Sequence, residues 1–308
     1  DMKALADYIQ ARGLKFGIYS SPGPTTCQGL AGSYGYERLD AETWADWGVD
    51  YLKYDYCGYS RIAPDRSVYW LRKPYDLMRG VLDAIDRDIV YSIGEYGWGD
   101  VWEWGESAGG NLWRTTGDLE NSWTNLESVG FRQAGREVYA GPGHWNDTDM
   151  LIVGKLSWGR GELVDTKLTR NEQLVHLSLW ALQAAPLMIG ADMSQLDDWT
   201  IDLLTNDEVL AVTNDPLGRA GGRVWSDGGR LEVWARPLAD GTMAVGLFNR
   251  GLQPYEITAR WSDLGLSGDQ PVRDLWSQQD LGVFDGGFGA TVPRHGVRFV
   301  KVGGPANR

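Results

Sequence analysis

Residues 51–57 read YLKYDYC, and this short run predicts the fold. Successive side chains of a β-strand point to opposite faces, so Leu52 and Tyr54 share one face while Lys53 and Asp55 share the other. An apolar face packed on helices and an ionisable face pointing inward are typical of a strand in an enzymatic α/β barrel. Such barrels carry their catalytic groups at the carboxyl ends of the strands. A solvated edge strand also accommodates a Lys-x-Asp pair, and the run alone leaves both interpretations open.

The sequence around this run alternates between helical and strand patterns up to about residue 218. Apolar residues with a helical period precede Gly13, which we expect to end a first helix. A further helix over 171–184 is predicted to begin at the N-cap Thr169, with Glu172 three residues later. Other strands are predicted at 14–19, 89–93, 112–116, 137–140 and 187–189, and another helix at 41–47. Strands that alternate with helices predict an α/β fold with a parallel sheet and outer helices.

Beyond residue 218 the pattern changes to short alternating segments separated by Gly/Asp turns. Strands are predicted at 223–225, 231–237, 243–249, 255–260 and 296–302. Their spacing predicts an antiparallel β-sandwich. The chain of 308 residues is long enough for one large and one small domain. We therefore expect a catalytic (β/α) barrel portion at 1–218 and a C-terminal antiparallel β domain at 219–308.

Composition excludes several classes of function. The chain has 42 acidic and 29 basic residues, which argues against a nucleic-acid partner and against a polybasic membrane patch. No run of 18 apolar residues and no signal-peptide pattern occur, so no membrane-spanning segment is predicted. The 16 Trp and 14 Tyr residues either fill a large core or line a carbohydrate site, and composition does not decide between them.

The two cysteines, Cys27 and Cys57, lack the neighbouring Cys or His residues that a zinc site needs. Both follow predicted strand ends, which in a barrel brings their α-carbons near each other. Two buried free thiols and a disulfide are both compatible with this placement. A disulfide would imply an oxidising compartment.

Acidic residues recur where strands are predicted to end, and this pattern points to the chemistry. They are Asp55, Glu95, Asp118, Asp147 and Asp149. Neither a Ser/His/Asp arrangement nor a phosphate-binding glycine loop occurs. A pair of carboxylates suits glycoside hydrolysis, and Lys53 beside Asp55 favours the ionised form that a nucleophile requires. A Mg²⁺ or Ca²⁺ site is the weaker alternative, because no acidic cluster has the spacing of an EF-hand loop; we predict no metal and no cofactor.

Several ordered motifs resemble glycoside hydrolase family 27, the α-galactosidase or melibiase family. They are GIY at 17–19, TC at 26–27, WGVDYLKYD at 47–55, WRTTGD at 113–118, WND-x-DM at 145–150, NEQ at 171–173, APL at 185–187 and LTNDEVL at 204–210. The resemblance covers essentially the whole chain. It implies a (β/α)8 barrel followed by an antiparallel β domain.

The resemblance also implies a role for individual residues. Asp55 would be the nucleophile and Asp118 the general acid/base. The substrate-binding residues would be Tyr19, Lys53, Glu95, Trp98, Arg114 and Asp149, and Trp98 would leave no room for an acetamide group. Cys27 and Cys57 would form a disulfide next to the pocket. A double displacement would require the two catalytic carboxyl groups about 5–5.5 Å apart.

Two departures from the family pattern are visible. Gly94 stands where the family usually has a cysteine, so a second disulfide is absent. The residue pattern predicts only about six βα strands where a closed barrel needs eight, so either two strands are missing from the front or the sheet is open. The resemblance itself starts at the third βα unit of the family. An N-terminally truncated barrel is therefore expected, with open edges at the strand 14–19 and at the strand near Leu187. Such edges promote aggregation, and we expect this chain alone to be poorly soluble and nearly inactive.

Three functions follow from these expectations. The first is a retaining exo-glycosidase that acts on terminal α-galactosyl residues of oligosaccharides or glycoconjugates. The second is a β-L-arabinopyranosidase or another glycosidase of the same family. The third is a catalytically silent carbohydrate-binding relic. A secreted or periplasmic location is predicted, with neither nucleic acid nor membrane as a partner.

Overall fold

The computed structural model describes residues 1–157 and 162–304 of the chain. The chain forms two compact units, Asp1–Gly117 and Asp118–Arg308. This division differs from the predicted domain boundary at 218/219, which stays a prediction. Residues 158–161 and 305–308 of the two predicted domains lie outside the described residues. No helix in the described ranges is long and apolar enough to cross a membrane.

The first unit alternates helices with strands. Its helices are α1 (Met2–Gln10), α2 (Glu37–Trp47), α3 (Val68–Leu82) and α4 (Val101–Trp104), with a 3-10 turn at Tyr59–Arg61. Its strands are β1 (Gly17–Ser20), β2 (Tyr51–Asp55), β3 (Val90–Gly94) and β4 (Leu112–Arg114). Glycine ends α2 because Gly48 adopts a left-handed φ of 83° and donates its N–H to the carbonyl of Ala45. The chain then turns directly into β2.

The four strands form a parallel sheet in the order β1, β2, β3, β4. Among the described residues of this unit, β1 pairs with β2 alone and is an edge strand, as predicted. Leu52 and Tyr54 of β2 are fully buried in one cluster with Tyr75 and Met78 of α3. Their apolar face therefore fixes β2 against the helices and leaves Lys53 and Asp55 on the opposite face.

The second unit begins with helices and short strands. Its helices are α5 (Trp123–Phe131), α6 (Arg170–Leu182), α7 (Asp198–Thr205), α8 (Asp207–Thr213) and α9 (Trp261–Leu264), with 3-10 turns at Glu137–Tyr139 and Met193–Gln195. Its first strands are β5 (Trp145–Asp147), β6 (Lys155–Leu156) and β7 (Val164–Asp165). The predicted capping box of α6 is confirmed. Thr169 Oγ1 accepts the N–H of Glu172 at 3.4 Å, and the Glu172 carboxylate accepts the N–H of Thr169 at 2.7 Å.

The rest of this unit is the predicted antiparallel β structure. Its strands are β8 (Gly222–Asp227), β9 (Leu231–Pro237), β10 (Met243–Asn249), β11 (Tyr255–Arg260), β12 (Gln270–Asp274), β13 (Gln279–Phe284), β14 (Gly287–Val292) and β15 (Gly296–Val302). Six strands form one sheet in the order β13-β12-β15-β10-β9-β8, and β11 pairs with β14. Alternate residues of the large sheet enter two different cores. Val245 packs with Ile257 of the small sheet, whereas Phe248 packs with Trp180 of α6.

Two predicted strands of the first 218 residues are wrong. Residues 137–140 contain a 3-10 turn, because Tyr139 and Ala140 donate their N–H groups to carbonyls three residues earlier. Residues 187–189 form no strand, and Ile189 makes a single parallel bridge to Leu151. The open strand edge that was predicted near Leu187 is therefore wrong, because no strand forms at these residues.

Candidate active site

Asp55 is the last residue of β2, and its carboxylate is held by three hydrogen-bond donors. The phenol of Tyr19 donates to Oδ2 at 2.9 Å. The N–H of Tyr56 donates to Oδ1 at 2.8 Å, and the phenol of Tyr96 donates to the same oxygen. Asp55 is 6% exposed. The carboxylate is thus buried, and both of its oxygens accept hydrogen bonds.

A disulfide lies directly beside this carboxylate, as predicted. Cys27 and Cys57 are bonded, with their α-carbons 5.1 Å apart. The phenol oxygen of Tyr96 lies 3.7 Å from Cys27 Sγ and 3.6 Å from Cys57 Sγ. In the described ranges, Cys27, Asp55 and Cys57 are the one group whose geometry would suit a metal ion. The bonded sulfurs carry no thiolate, so this group does not fit a metal.

Removal of the disulfide is expected to destabilise the protein strongly. The bond spans 30 residues, and the chain-entropy estimate for a loop of that length is about 3–4 kcal/mol. The free energy of unfolding of a Cys27→Ser/Cys57→Ser double variant, measured by denaturant titration, should fall by this amount. Thiol titration of the denatured, unreduced parent protein serves as the control. Two reactive thiols in the parent would contradict the bond.

The turn after β3 carries Glu95 and Tyr96. The N–H of Gly97 donates to Oε1 of Glu95 at 2.7 Å, which closes a tight turn around Tyr96. Tyr96 adopts a positive φ of 68°, an uncommon conformation for a residue with a side chain. A Cβ on Gly97 would come within 2.3 Å of the carbonyl oxygen of Thr115, so the position requires glycine. The backbone conformation at Tyr96 and Gly97 therefore sets the direction of the Tyr96 side chain.

Glu95 is completely buried, and burial raises its pKa to about 9. The N–H of Gly97 that it accepts opposes this increase without cancelling it. Among the described residues, Oε2 of Glu95 has no hydrogen-bond partner. The carboxyl group is therefore protonated at neutral pH and can donate one hydrogen bond. A contact of Glu95 with a sugar hydroxyl stays a prediction.

Trp98 lies in an aromatic cluster beside the same turn. Its ring centroid is 5.7 Å from that of Tyr56 and 5.5 Å from that of Tyr96. The guanidinium of Arg66 covers one face of the ring at 4.2 Å from the centroid. These contacts fix the indole, so its position does not depend on a ligand.

Two basic residues lie on neighbouring strands. Lys53 is half-buried, faces the same side of β2 as Asp55 and is in register with Tyr19 of β1. Arg114 ends β4 and is 2% exposed. Its guanidinium donates to the carbonyl of Thr116 at 3.3 Å and lies 5.8 Å from the centroid of the Tyr96 ring. The first unit thus brings six of the predicted residues to the carboxyl edge of one sheet: Tyr19, Lys53, Asp55, Glu95, Trp98 and Arg114.

The remaining two predicted residues belong to the second unit. Asp118 is exposed at its start, and Asp149 is buried shortly after β5. The Asp149 carboxylate accepts the N–H of Leu119 at 2.7 Å, and its carbonyl accepts the indole N–H of Trp180 at 2.8 Å. Asp149 therefore anchors the backbone adjacent to Asp118 and is itself anchored to α6.

Comparison with protein families decides where this chain belongs. The model of the family described as alpha galactosidase A matches residues 1–215, and that of the alpha galactosidase C-terminal β-sandwich domain matches residues 228–302. The chain belongs to the α-galactosidase family. An α-galactosidase of Cyamopsis tetragonoloba is 42% identical over 300 residues, which cover 96% of this chain and 68% of that protein.

Solved structures of α-galactosidase family members have the same fold as this chain. α-Galactosidase I from Mortierella vinacea superimposes with a TM-score of 0.86 at 32% identity, over 98% of this chain and 79% of that one. A family 27 β-L-arabinopyranosidase from Geobacillus stearothermophilus gives 0.87 at 26% identity, over 100% and 78% of the two chains. The predicted fold class, a barrel-type α/β portion followed by an antiparallel β-sandwich, is confirmed. This member of the α-galactosidase family is a glycoside hydrolase.

The sequence motifs of the α-galactosidase family did not identify Tyr96 as a site residue. Its neighbours Glu95 and Trp98 were predicted, but nothing in the spacing distinguishes a tyrosine between them. Its phenol reaches Asp55 because the Glu95–Gly97 hydrogen bond forces a left-handed turn. The sequence feature that could have indicated Tyr96 was a Glu-x-Gly sequence after a predicted strand, and this pattern has low specificity.

Proposed function

We propose that this glycoside hydrolase removes terminal α-D-galactosyl residues with retention of anomeric configuration, using Asp55 as nucleophile and Asp118 as general acid/base. The observation that carries the assignment of Asp55 is its carboxylate, held at the end of β2 by Tyr19, Tyr56 and Tyr96. A nucleophile must be oriented toward the carbon that it attacks, and three donors fix the orientation of this carboxylate.

The reaction proceeds in two displacements at the anomeric carbon. One Asp55 oxygen bonds to that carbon while the bond to the glycosidic oxygen breaks, and the carboxyl group of Asp118 gives its proton to the departing oxygen. A water molecule then attacks the same carbon, Asp118 takes a proton from the water, and the bond to Asp55 breaks. Two inversions give net retention, and the chemistry needs no cofactor.

The groups around Asp55 suit recognition of sugar hydroxyls. Lys53 and Arg114 offer cationic donors, and no salt bridge engages Lys53 in the described ranges. Protonated Glu95 offers a neutral donor, and Tyr19 is partly exposed beside Asp55. We assign these four residues, together with Asp149, to substrate binding. Contacts with sugar hydroxyls that take no part in the reaction supply the binding energy that orients the anomeric carbon.

Substrate choice is best tested with matched aryl glycosides. Trp98 is held by Tyr56, Tyr96 and Arg66, and we assign it to the exclusion of an acetamide group from the sugar site. We expect p-nitrophenyl α-galactopyranoside to be preferred over the α-N-acetylgalactosaminide by at least about tenfold in kcat/KM. NMR of the first product should show α-galactose. First release of β-galactose would contradict retention.

A second candidate is supported by the structural likeness to the β-L-arabinopyranosidase. L-Arabinopyranose is galactose without its hydroxymethyl group, and a contact of that size changes kcat/KM by about 10- to 200-fold. A preference for p-nitrophenyl β-L-arabinopyranoside in the same assay would therefore replace the α-galactosidase assignment. Binding of galactosides without any hydrolysis would support the third candidate, a silent carbohydrate-binding protein.

The disulfide supports a location outside the cytoplasm. Structural disulfides persist in oxidising compartments, and Cys27–Cys57 lies next to the nucleophile. We propose a secreted or periplasmic protein that acts on α-galactosides of oligosaccharides or glycoconjugates. We also propose the functional boundary at 218/219, between the regions matched by the two family models.

A further inference from the structure

The two oxygens of the Asp55 carboxylate are engaged unequally. Oδ1 accepts the N–H of Tyr56 at 2.8 Å and the phenol O–H of Tyr96. Oδ2 accepts the phenol of Tyr19 at 2.9 Å. The sulfur of Cys27 is 3.9 Å from Oδ2, but a disulfide sulfur has no hydrogen to donate. A carboxylate oxygen has two lone pairs, so Oδ1 is saturated and Oδ2 keeps one lone pair for bond formation.

Tyr96 is fixed from several sides. The turn that holds its backbone is closed by the Glu95–Gly97 hydrogen bond. Its ring is packed against Trp98 and faces the guanidinium of Arg114, while its oxygen lies against both disulfide sulfurs. A donor held this rigidly needs little reorganisation when charge appears on the oxygen it faces.

We propose that Oδ2 of Asp55 forms the bond to the sugar and that Tyr96 is a catalytic residue that stabilises Oδ1 as the carboxylate departs in the second displacement. This inference rests on the proposed role of Asp55 as nucleophile. In the glycosyl-enzyme, Oδ1 is the carbonyl oxygen of a neutral ester and accepts only ordinary hydrogen bonds. When water displaces Asp55, the electron pair of the breaking bond returns to the carboxylate, and its negative charge is shared with Oδ1.

The loss of this donor should therefore affect the two displacements differently. Hydrogen bonds to a charged group are about twice as strong as neutral ones. The Tyr96 bond therefore stabilises the full charge of free Asp55 most, the partial charge of the transition states less, and the ester least. Its removal leaves the first displacement nearly unchanged or faster, and it raises the barrier of the second displacement.

The test compares formation and breakdown of the glycosyl-enzyme in Tyr96→Phe. A 5-fluoro-α-galactosyl fluoride inactivates retaining enzymes by forming a slowly hydrolysed glycosyl-enzyme. The rate of inactivation measures formation, and the rate at which activity returns measures breakdown. We expect breakdown to slow by about tenfold or more, with formation within about threefold of the parent enzyme. With a dinitrophenyl galactoside, breakdown of the glycosyl-enzyme limits turnover. Slower breakdown should therefore lower kcat and KM together.

Equal slowing of both steps would show a structural role and overturn the inference, and so would no change in either. Tyr69→Phe is the matched control, because its ring is 64% exposed on α3 and lies outside the site. Both rates should be unchanged in this variant. Thermal unfolding of Tyr96→Phe checks that the fold is retained.

Mass spectrometry of the inactivated enzyme separates failure of this inference from failure of the proposed function. A label on the peptide that carries Asp55 supports the nucleophile, and the two rates then decide the role of Tyr96. A label on another carboxylate overturns both assignments. Absence of any label, with full activity retained, would also exclude a covalent intermediate and with it the role of Tyr96.

Discussion

In an active full-length form of the protein, replacement of Asp55 by glycine is expected to reduce kcat on aryl α-galactosides by about 10⁴-fold or more, because the covalent route is lost. The substitution also leaves a cavity beside the donors of Tyr19, Tyr56 and Tyr96. Azide can enter this cavity and attack from the side that Asp55 occupied. The measurement is the rate with and without azide, together with the configuration of the product, which should be β-galactosyl azide.

The anomer of the azide product distinguishes nucleophile from acid/base. α-Galactosyl azide from the Asp55→Gly variant would show that the two roles have been exchanged. Asp46→Asn is the matched control, since this exposed carboxylate of α2 lies outside the site and makes no described contact. Its kcat should equal that of the parent enzyme. Residual activity of Asp55→Gly near the parent level, without azide, would reject Asp55 as nucleophile.

Asp118→Ala is expected to show a loss of activity that depends on the leaving group. General acid catalysis typically contributes 10²–10⁴-fold, and it matters most when the departing oxygen is a poor leaving group. Hydrolysis of a galactosyl disaccharide should therefore fall by about 10²–10⁴-fold. With a dinitrophenyl galactoside the first displacement should be nearly unaffected, because the phenolate leaves without a proton.

Azide provides the second measurement on Asp118→Ala. It attacks the glycosyl-enzyme from the opposite side, since Asp55 is still bonded to the sugar, and the product should be α-galactosyl azide. The Asp118→Asn variant controls for the volume of the side chain and should behave in the same way. An equal loss on the disaccharide and on the dinitrophenyl galactoside would contradict the acid/base role.

Strands with a clear alternation of apolar residues could be predicted from the sequence. Residues 231–237, 243–249, 255–260 and 296–302 are strands with the predicted bounds. Strand β2 was predictable for the same reason, because Leu52 and Tyr54 enter a core. Local chemistry also fixed the start of α6 at Thr169. These features depend on residues near one another in sequence.

Strands with weak alternation were missed. Strand β13 is the exposed edge of its sheet, and its two alternating apolar residues, Leu281 and Val283, are separated by Gly282, which weakens the pattern. Strand β12 contains Pro271, and β14 contains Gly287 and Gly289. Their pairing partners, rather than their own propensities, make them strands. Conversely, residues 137–140 have a strand-like composition but bond locally into a 3-10 turn.

By itself, the sequence determined the α/β and antiparallel β patterns, the acidic residues at strand ends and the motifs of the α-galactosidase family. These properties depend on side-chain alternation, capping and residue identity, all of which are short-range. The tertiary structure decided that Tyr19 and Tyr96 both donate to Asp55, that Cys27 bonds to Cys57 and that burial keeps Glu95 protonated. Such contacts join segments 30 or more residues apart, and their geometry is set by parallel pairing and by the left-handed turn at Tyr96. Hydrogen bonding and desolvation depend on this three-dimensional arrangement, which no local pattern encodes.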